Sequence, residues 1–163
     1  MDFLVRLEES GLATWVSQSG SLLGYPTILF LHTLGLATVA GLSTSINLRV
    51  LGVAPGIPLA SLSSFFPAIW AAFAVTAASG VTLLITDATT KLLSPVFYVK
   101  LAFIVLALVS VRLLRTSVFS NPKAATASMP GRARALAAAC VVFWIGATTA
   151  GRLMAYLGPV LGI

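Results

Sequence analysis

Hydrophobic residues dominate this chain in four long runs, each closed by a short polar or glycine–proline break. The first, YPTILFLHTLGLATVAGLSTSINLRVLGV from Tyr25 to Val53, carries no formal charge before Arg49. Runs that long and that apolar predict membrane-crossing helices rather than buried soluble ones. The same pattern predicts spans at about 25–48, 65–86, 95–114 and 135–157. Gly52, Pro55, Gly56 and Pro58 mark the first break, with Ser61, Ser63 and Ser64 as candidate helix caps. Asp87 closes the second run, and Ser94-Pro95 opens the third. The polar stretch Arg115–Arg134, with Asn121-Pro122 and Pro130-Gly131, reads as a loop, and Gly158-Pro159 stops the last helix.

Residues 2–18 have a different rhythm. Phe3, Leu4, Leu7, Leu12 and Trp15 fall on one helical face, with Asp2, Arg6, Glu9 and Ser17 on the other. The start is acidic and lacks a long apolar centre, so it does not read as a signal peptide. It reads as an amphipathic helix lying in the membrane interface. The expected organisation is an interfacial helix over 1–20 and a four-span domain over 21–163. The fold class is all-α, an integral-membrane four-helix bundle. Ala37, Gly41 and Ser45 on the first span, and Ala147, Gly151 and Ala155 on the fourth, recur at helical spacing. Such stripes let helices approach closely in lipid.

Composition agrees. Of 163 residues, 58% are hydrophobic and 9% charged, against about a quarter charged in ordinary soluble domains. The bilayer is then the main solvent. The net charge of +6 lies at span ends and shows no stripe or motif for nucleic acid. Arg49, Arg112, Arg115, Lys123, Arg132 and Arg134 cluster on one side, and Asp2, Glu8, Glu9 and Asp87 on the other, beside Arg6 and Lys91. The positive-inside rule puts both termini outside the cytoplasm. The single cysteine, Cys140, sits in an apolar run and reads as a small buried hydrophobe.

With that orientation, His32 (the chain's one histidine), Lys100 and Arg152 fall at similar depths, on the order of 8–12 Å below the outer surface. Asp87 is slightly shallower, and Thr148, Arg152 and Tyr156 share a face of the fourth helix. One reading is an outward-opening polar pocket, short of negative charge. It would suit haem propionates, a quinone carbonyl, a lipid headgroup or a small anion. His32 would be its axial haem ligand or quinone partner. The other reading has Lys100 and Arg152 snorkelling to the headgroups and His32 satisfied between helices. A lone histidine completes no zinc or copper site in one chain. A bis-ligated haem would need a partner's histidine, Met154 or Lys100. No serine or cysteine has a base at readable spacing, and no phosphate-binding glycine loop is present.

From Tyr25 to Gly158 the order of short motifs resembles an uncharacterised bacterial four-helix membrane family, domain of unknown function 6644. The matching pieces are Leu31-His32-Thr33-Leu34-Gly35, Asn47-Leu48-Arg49-Val50-Leu51-Gly52, Ser79-Gly80 with Asp87 downstream, Phe97-Tyr98-Val99-Lys100-Leu101, and Gly151-Arg152-Leu153-Met154-Ala155-Tyr156. The chain departs from it at Leu29 and Asn47, where that family often has acids. A histidine in the first span and a lysine in the third are also similar to copper-resistance-D and HemJ-type membrane proteins, which implies a porphyrin or quinone ligand. The resulting expectation is a bacterial inner-membrane protein, redox-associated, holding haem b or a quinone. His32 contacts the cofactor, Lys100 and Arg152 act as anion partners, Asp87 orients them, and Tyr156 and Thr148 line the site. The alternatives are an accessory subunit of a larger complex or homo-oligomer, and a carrier of small anions or lipids.

Overall fold

A computed structural model describes residues 2–120 and 129–161, the side chains of Ala155 and of 157–161 excepted. Asn121-Pro122 and Lys123 lie outside the described residues. The described residues form seven α-helices: α1 (Asp2–Glu8), α2 (Gly11–Gln18), α3 (Tyr25–Leu51), α4 (Phe65–Ile85), α5 (Ala88–Leu93), α6 (Pro95–Leu114) and α7 (Gly131–Leu161). Helices α3, α4, α6 and α7 are long and apolar enough to cross a membrane, as the hydrophobic runs predict. The chain is an all-α, polytopic membrane protein.

Several boundaries differ from expectation, each for a local reason. The N-terminal segment is two helices, because Ser10 turns extended and its side chain caps α2 at Ala13 N. α3 continues to Leu51 and ends in a Schellman motif. Gly52 takes φ 104°, its N–H reaches Arg49 O, and Val53 N–H reaches Leu48 O at 2.9 Å. Ser64 takes the N-cap position of α4, but none of the Ser61, Ser63 and Ser64 hydroxyls makes a capping bond. The three serines sit in a 3₁₀ turn, Leu59–Ser64, and their hydroxyls donate back to Pro58, Ala60 and Ser61 carbonyls. The expected loop at 115–134 is partly helix. Residues Arg115–Phe119 carry α6 onward with π geometry, and Arg132 and Arg134 ride on the first turns of α7. Gly158-Pro159 does not stop α7, which runs on to Leu161. Proline there forfeits one backbone bond with only a partial turn to follow, so its cost is confined to a helix end.

The packing pairs α3 with α4 and α6 with α7, and α3 against α7 joins the pairs. Close approaches are made by glycines other than those in the expected first-span stripe. A Cβ at Gly35 would collide with Thr76 Oγ1, and one at Gly146 would lie 2.9 Å from the Phe103 ring. Ala37, Gly41 and Ser45 instead face outward, and a Cβ on Gly41 meets nothing.

The two ends of the bundle differ in charge. At one, Glu8 Oε1 accepts from both Thr89 N and Thr89 Oγ1 at 2.7 Å, tying α1 to the start of α5. Lys91 there donates to Leu83 O at 2.8 Å and lies 3.5 Å from Asp87. All four carboxylates of the chain belong to this acidic end. At the basic end, Arg49 donates to Ile57 O and Pro55 O, and Arg134 to Leu51 O. The core is continuous here, with Phe66, Ile69, Val111 and Leu114 fully enclosed.

Candidate functional site: a lateral cavity around His32

α4 meets the π turn that continues α6 near the basic end, where the Phe66 and Phe119 rings stack edge-on with centroids 5.0 Å apart. Toward the acidic end α4 and α6 part, and a cavity of about 390 Å³ fills the gap. α3 and α7 form its back wall through His32, Leu36, Val39, Trp144 and Ala147. Its flanks are apolar, and Ala77, Val81, Leu101 and Val105 on them are exposed. The opening therefore faces sideways, where a bilayer would be, rather than only toward the aqueous surface. That volume lies within the range of small-molecule sites.

Two ionisable side chains line this apolar space, His32 and Lys100. The imidazole is held by α4. Its Nδ1 lies 3.0 Å from Thr76 O and 3.3 Å from Ser79 Oγ. A carbonyl oxygen only accepts, and the Ser79 hydroxyl already donates to Val75 O at 2.7 Å. Nδ1 must then carry the proton, and in the neutral ring the Nε2 lone pair is free. Among the described residues Nε2 has no hydrogen-bond partner. Gly80 makes this seat possible, since a Cβ there would come within 2.9 Å of His32 Cε1. Lys100 lies along Gly151, whose Cβ position is 3.7 Å from the lysine Cε. Its ammonium has no acceptor and no carboxylate among the described residues.

The other expected site residues are elsewhere. Asp87 pairs with Lys91, four residues along, and orients neither Lys100 nor Arg152. Arg152 and Tyr156 are exposed and line no part of the cavity; Tyr156 is 66% exposed. Thr148 donates to Trp144 O and Ile145 O of its own helix. The polar pocket expected from four ionisable groups is thus an apolar cavity with two. Sequence reasoning passed over Thr76 and Trp144 and gave Gly80 no role. A threonine in an otherwise apolar run, four residues before Gly80, was the available signal.

Behind the cavity lies a second polar feature. Ser43 Oγ, both amide atoms of Asn47 and Trp144 Nε1 are buried with no hydrogen-bond partner among the described residues. The Cys140 sulfur beside Asn47 and Trp144 is a weak acceptor, and its own proton points to Ala107 O at 3.6 Å. Trp144 belongs both to this cluster and to the cavity wall, and its buried indole N–H has the Cys140 sulfur as a weak acceptor.

Comparison of the chain with protein-family models, with curated proteins and with solved structures returns no match.

Proposed function

We propose that the protein binds a membrane quinone in the lateral cavity. The observation that carries this reading is the pairing of a free acceptor, His32 Nε2, with a free donor, Lys100 Nζ, inside an apolar space that opens sideways. A quinone is apolar apart from its ring oxygens and travels in the bilayer, so a side opening suits its route. Lys100 would donate to a ring carbonyl, and His32 Nε2 would accept from the hydroxyl of the quinol form. The apolar flanks would hold the ring and the first tail units. This fits a bacterial inner-membrane protein with the acidic end and both termini outside, and the family resemblance drawn from the motifs belongs to the same proposal.

A specific observation also favours haem b. An Nδ1–H bonded to a backbone carbonyl with Nε2 left free is how a histidine is oriented as an iron ligand. The remaining residues fit haem less well. Met154 does not line the cavity, so Lys100 would have to serve as the second ligand. Arg152 is outside, so no second cation among the described lining residues would be left for the propionates.

The test is direct. Detergent-purified protein is extracted for quinone, and a short-tailed quinone is titrated while Trp144 emission is followed. Saturable quenching that weakens at least tenfold in His32→Ala and in Lys100→Met supports the proposal. A Soret band that sharpens on reduction and disappears in His32→Ala replaces quinone with haem. No quench and no chromophore, with a co-purifying membrane protein seated at the α4–α6 gap, replaces both with an accessory-subunit role.

A further inference from the structure

Another cavity lies at the opposite end and has the opposite character. It holds about 210 Å³ between α4 and the last turns of α6. Arg112, Arg115, Thr116 and Ser120 line it on one side, and Phe66 and Trp70 on the other. The Arg115 guanidinium sits 5.6 Å from the Phe66 ring centroid, which fixes one cation against an aromatic wall. Neither arginine donates a hydrogen bond to any described residue. This contrasts with Arg49 and Arg134 nearby, whose guanidinium groups are spent on backbone carbonyls. No side-chain carboxylate can reach them either. Asp2, Glu8, Glu9 and Asp87 all belong to the far end, and from Pro95 to Arg112 the helix alone covers roughly 25 Å.

The π turn Arg115–Phe119 is part of the construction. An i→i+5 turn widens the helix and is frequent at functional positions. Arg112, Arg115 and Thr116 come from adjacent turns, so the two guanidinium groups and a hydroxyl can converge on one anion. The Thr116 hydroxyl makes only long bonds to its own helix, 3.1 and 3.3 Å, and the Ser120 hydroxyl one of 3.4 Å. Both are available to redirect. Arginine forks match phosphate oxygens in pairs.

We infer that this pocket binds the phosphate of an anionic phospholipid, with Trp70 at the glycerol level and the acyl chains along α4 and α6. Lipid is favoured over a free phosphate by the wall opposite the arginines. Phe66 and Trp70 stand at the end of a membrane-crossing helix, where a headgroup meets its tails and a dissolved ion gains nothing from aromatic rings. The inference is independent of the ligand assigned to the His32 cavity.

The experiment places the full chain in phosphatidylcholine vesicles containing increasing fractions of phosphatidylglycerol with brominated tails. Trp70 emission is isolated by subtracting the Trp70→Phe protein. Each arginine near the surface is worth about fivefold in lipid affinity (~1 kcal/mol), so Arg112→Gln/Arg115→Gln should need roughly 25-fold more brominated lipid for half quenching. Arg112→Lys/Arg115→Lys should recover part of this loss, keeping charge without the fork. Brominated phosphatidylcholine should quench all of these proteins alike. Equal half-quenching fractions in wild type and the glutamine pair would overturn the inference. Release of the quench by millimolar inorganic phosphate, but not by chloride of equal ionic strength, would overturn the lipid assignment in favour of a free-phosphate site.

Discussion

Helix α4 is joined at the basic end to the π turn that continues α6, and toward the acidic end α4 and α6 stand apart. At the basic end Phe66 is 2% exposed and packs on Phe119. Toward the acidic end their facing residues Val81 and Val105 are 56% and 58% exposed. The difference is not one of composition, since both ends are built of valine, leucine and phenylalanine. It comes from what lies between the helix ends. At the acidic end α5 touches both α4 and α6 and is itself held by α1 through Glu8, so it acts as a spacer. At the basic end the 3₁₀ turn and the π turn pack on each other and draw the helices in. Connections, rather than span sequences, decide where this bundle is open.

Truncations should expose the contrast most strongly. Phe66→Ala should lose on the order of 3–5 kcal/mol in reversible unfolding, because Phe66 is 2% exposed and its ring packs on Phe119. Val105→Ala should change stability by less than about 0.5 kcal/mol, since lipid already covers that face. Comparable losses at both positions would mean that the gap is closed in the membrane. Next in size are the glycines. Gly80→Val should push the His32 ring off Thr76 and weaken quinone binding more than tenfold, about 1.4 kcal/mol or more. Gly41→Ala should leave binding unchanged, because its Cβ meets nothing. Quinone binding that survives Gly80→Val would remove His32 from the site.

The buried polar cluster sharpens the same comparison from the middle of the bundle. Asn47 is 1% exposed, with neither amide atom paired among the described residues. An unsatisfied group of this kind costs roughly 1–3 kcal/mol, so Asn47→Leu should raise the unfolding temperature. A fall instead would mean that a water or a ligand oxygen occupies the cluster behind Trp144 and bonds to the amide.

How much was legible in advance follows from the solvent. In lipid every backbone group must bond internally, so long apolar runs are helices and hydropathy places them. Depth along a helix is equally legible, which is why His32 and Lys100 were expected at one level and do line one cavity. Rotation about the helix axis was not. Spans that are apolar on all sides carry almost no facial signal, so Arg152 and Tyr156, at the right depth, turned out to be on the wrong face. Asp87 was misread because its strongest partner was local, Lys91 one turn away. The Glu8–Thr89 contact joins residues 81 apart and had no periodic signature. The stripe Ala37–Gly41–Ser45 looked like an interface, whereas Gly35 makes the contact.

The smallest expected effect concerns the spacer itself. Glu8 is half-buried, and its carboxylate accepts from the Thr89 hydroxyl and the Thr89 N–H, which together hold its pKa below the ordinary 4.5. A carboxylate whose pKa falls on docking contributes to docking above its ordinary value. That contribution fades as pH drops through the docked pKa. α1 should therefore stay on α5 at neutral pH and loosen below about pH 4.5. A spin label at Val5, itself 42% exposed, should broaden at neutral pH and narrow on acidification. Asp2, Glu9 and Asp87 are the other carboxylate side chains of the chain, so Glu8→Gln is the discriminating variant. Glutamine keeps the acceptor oxygen without the charge, and its label should be moderately mobile and flat with pH. A transition of wild-type size in Glu8→Gln would assign the acid response to those other carboxylates. The hold of α1 on α5 would then not depend on the Glu8 charge.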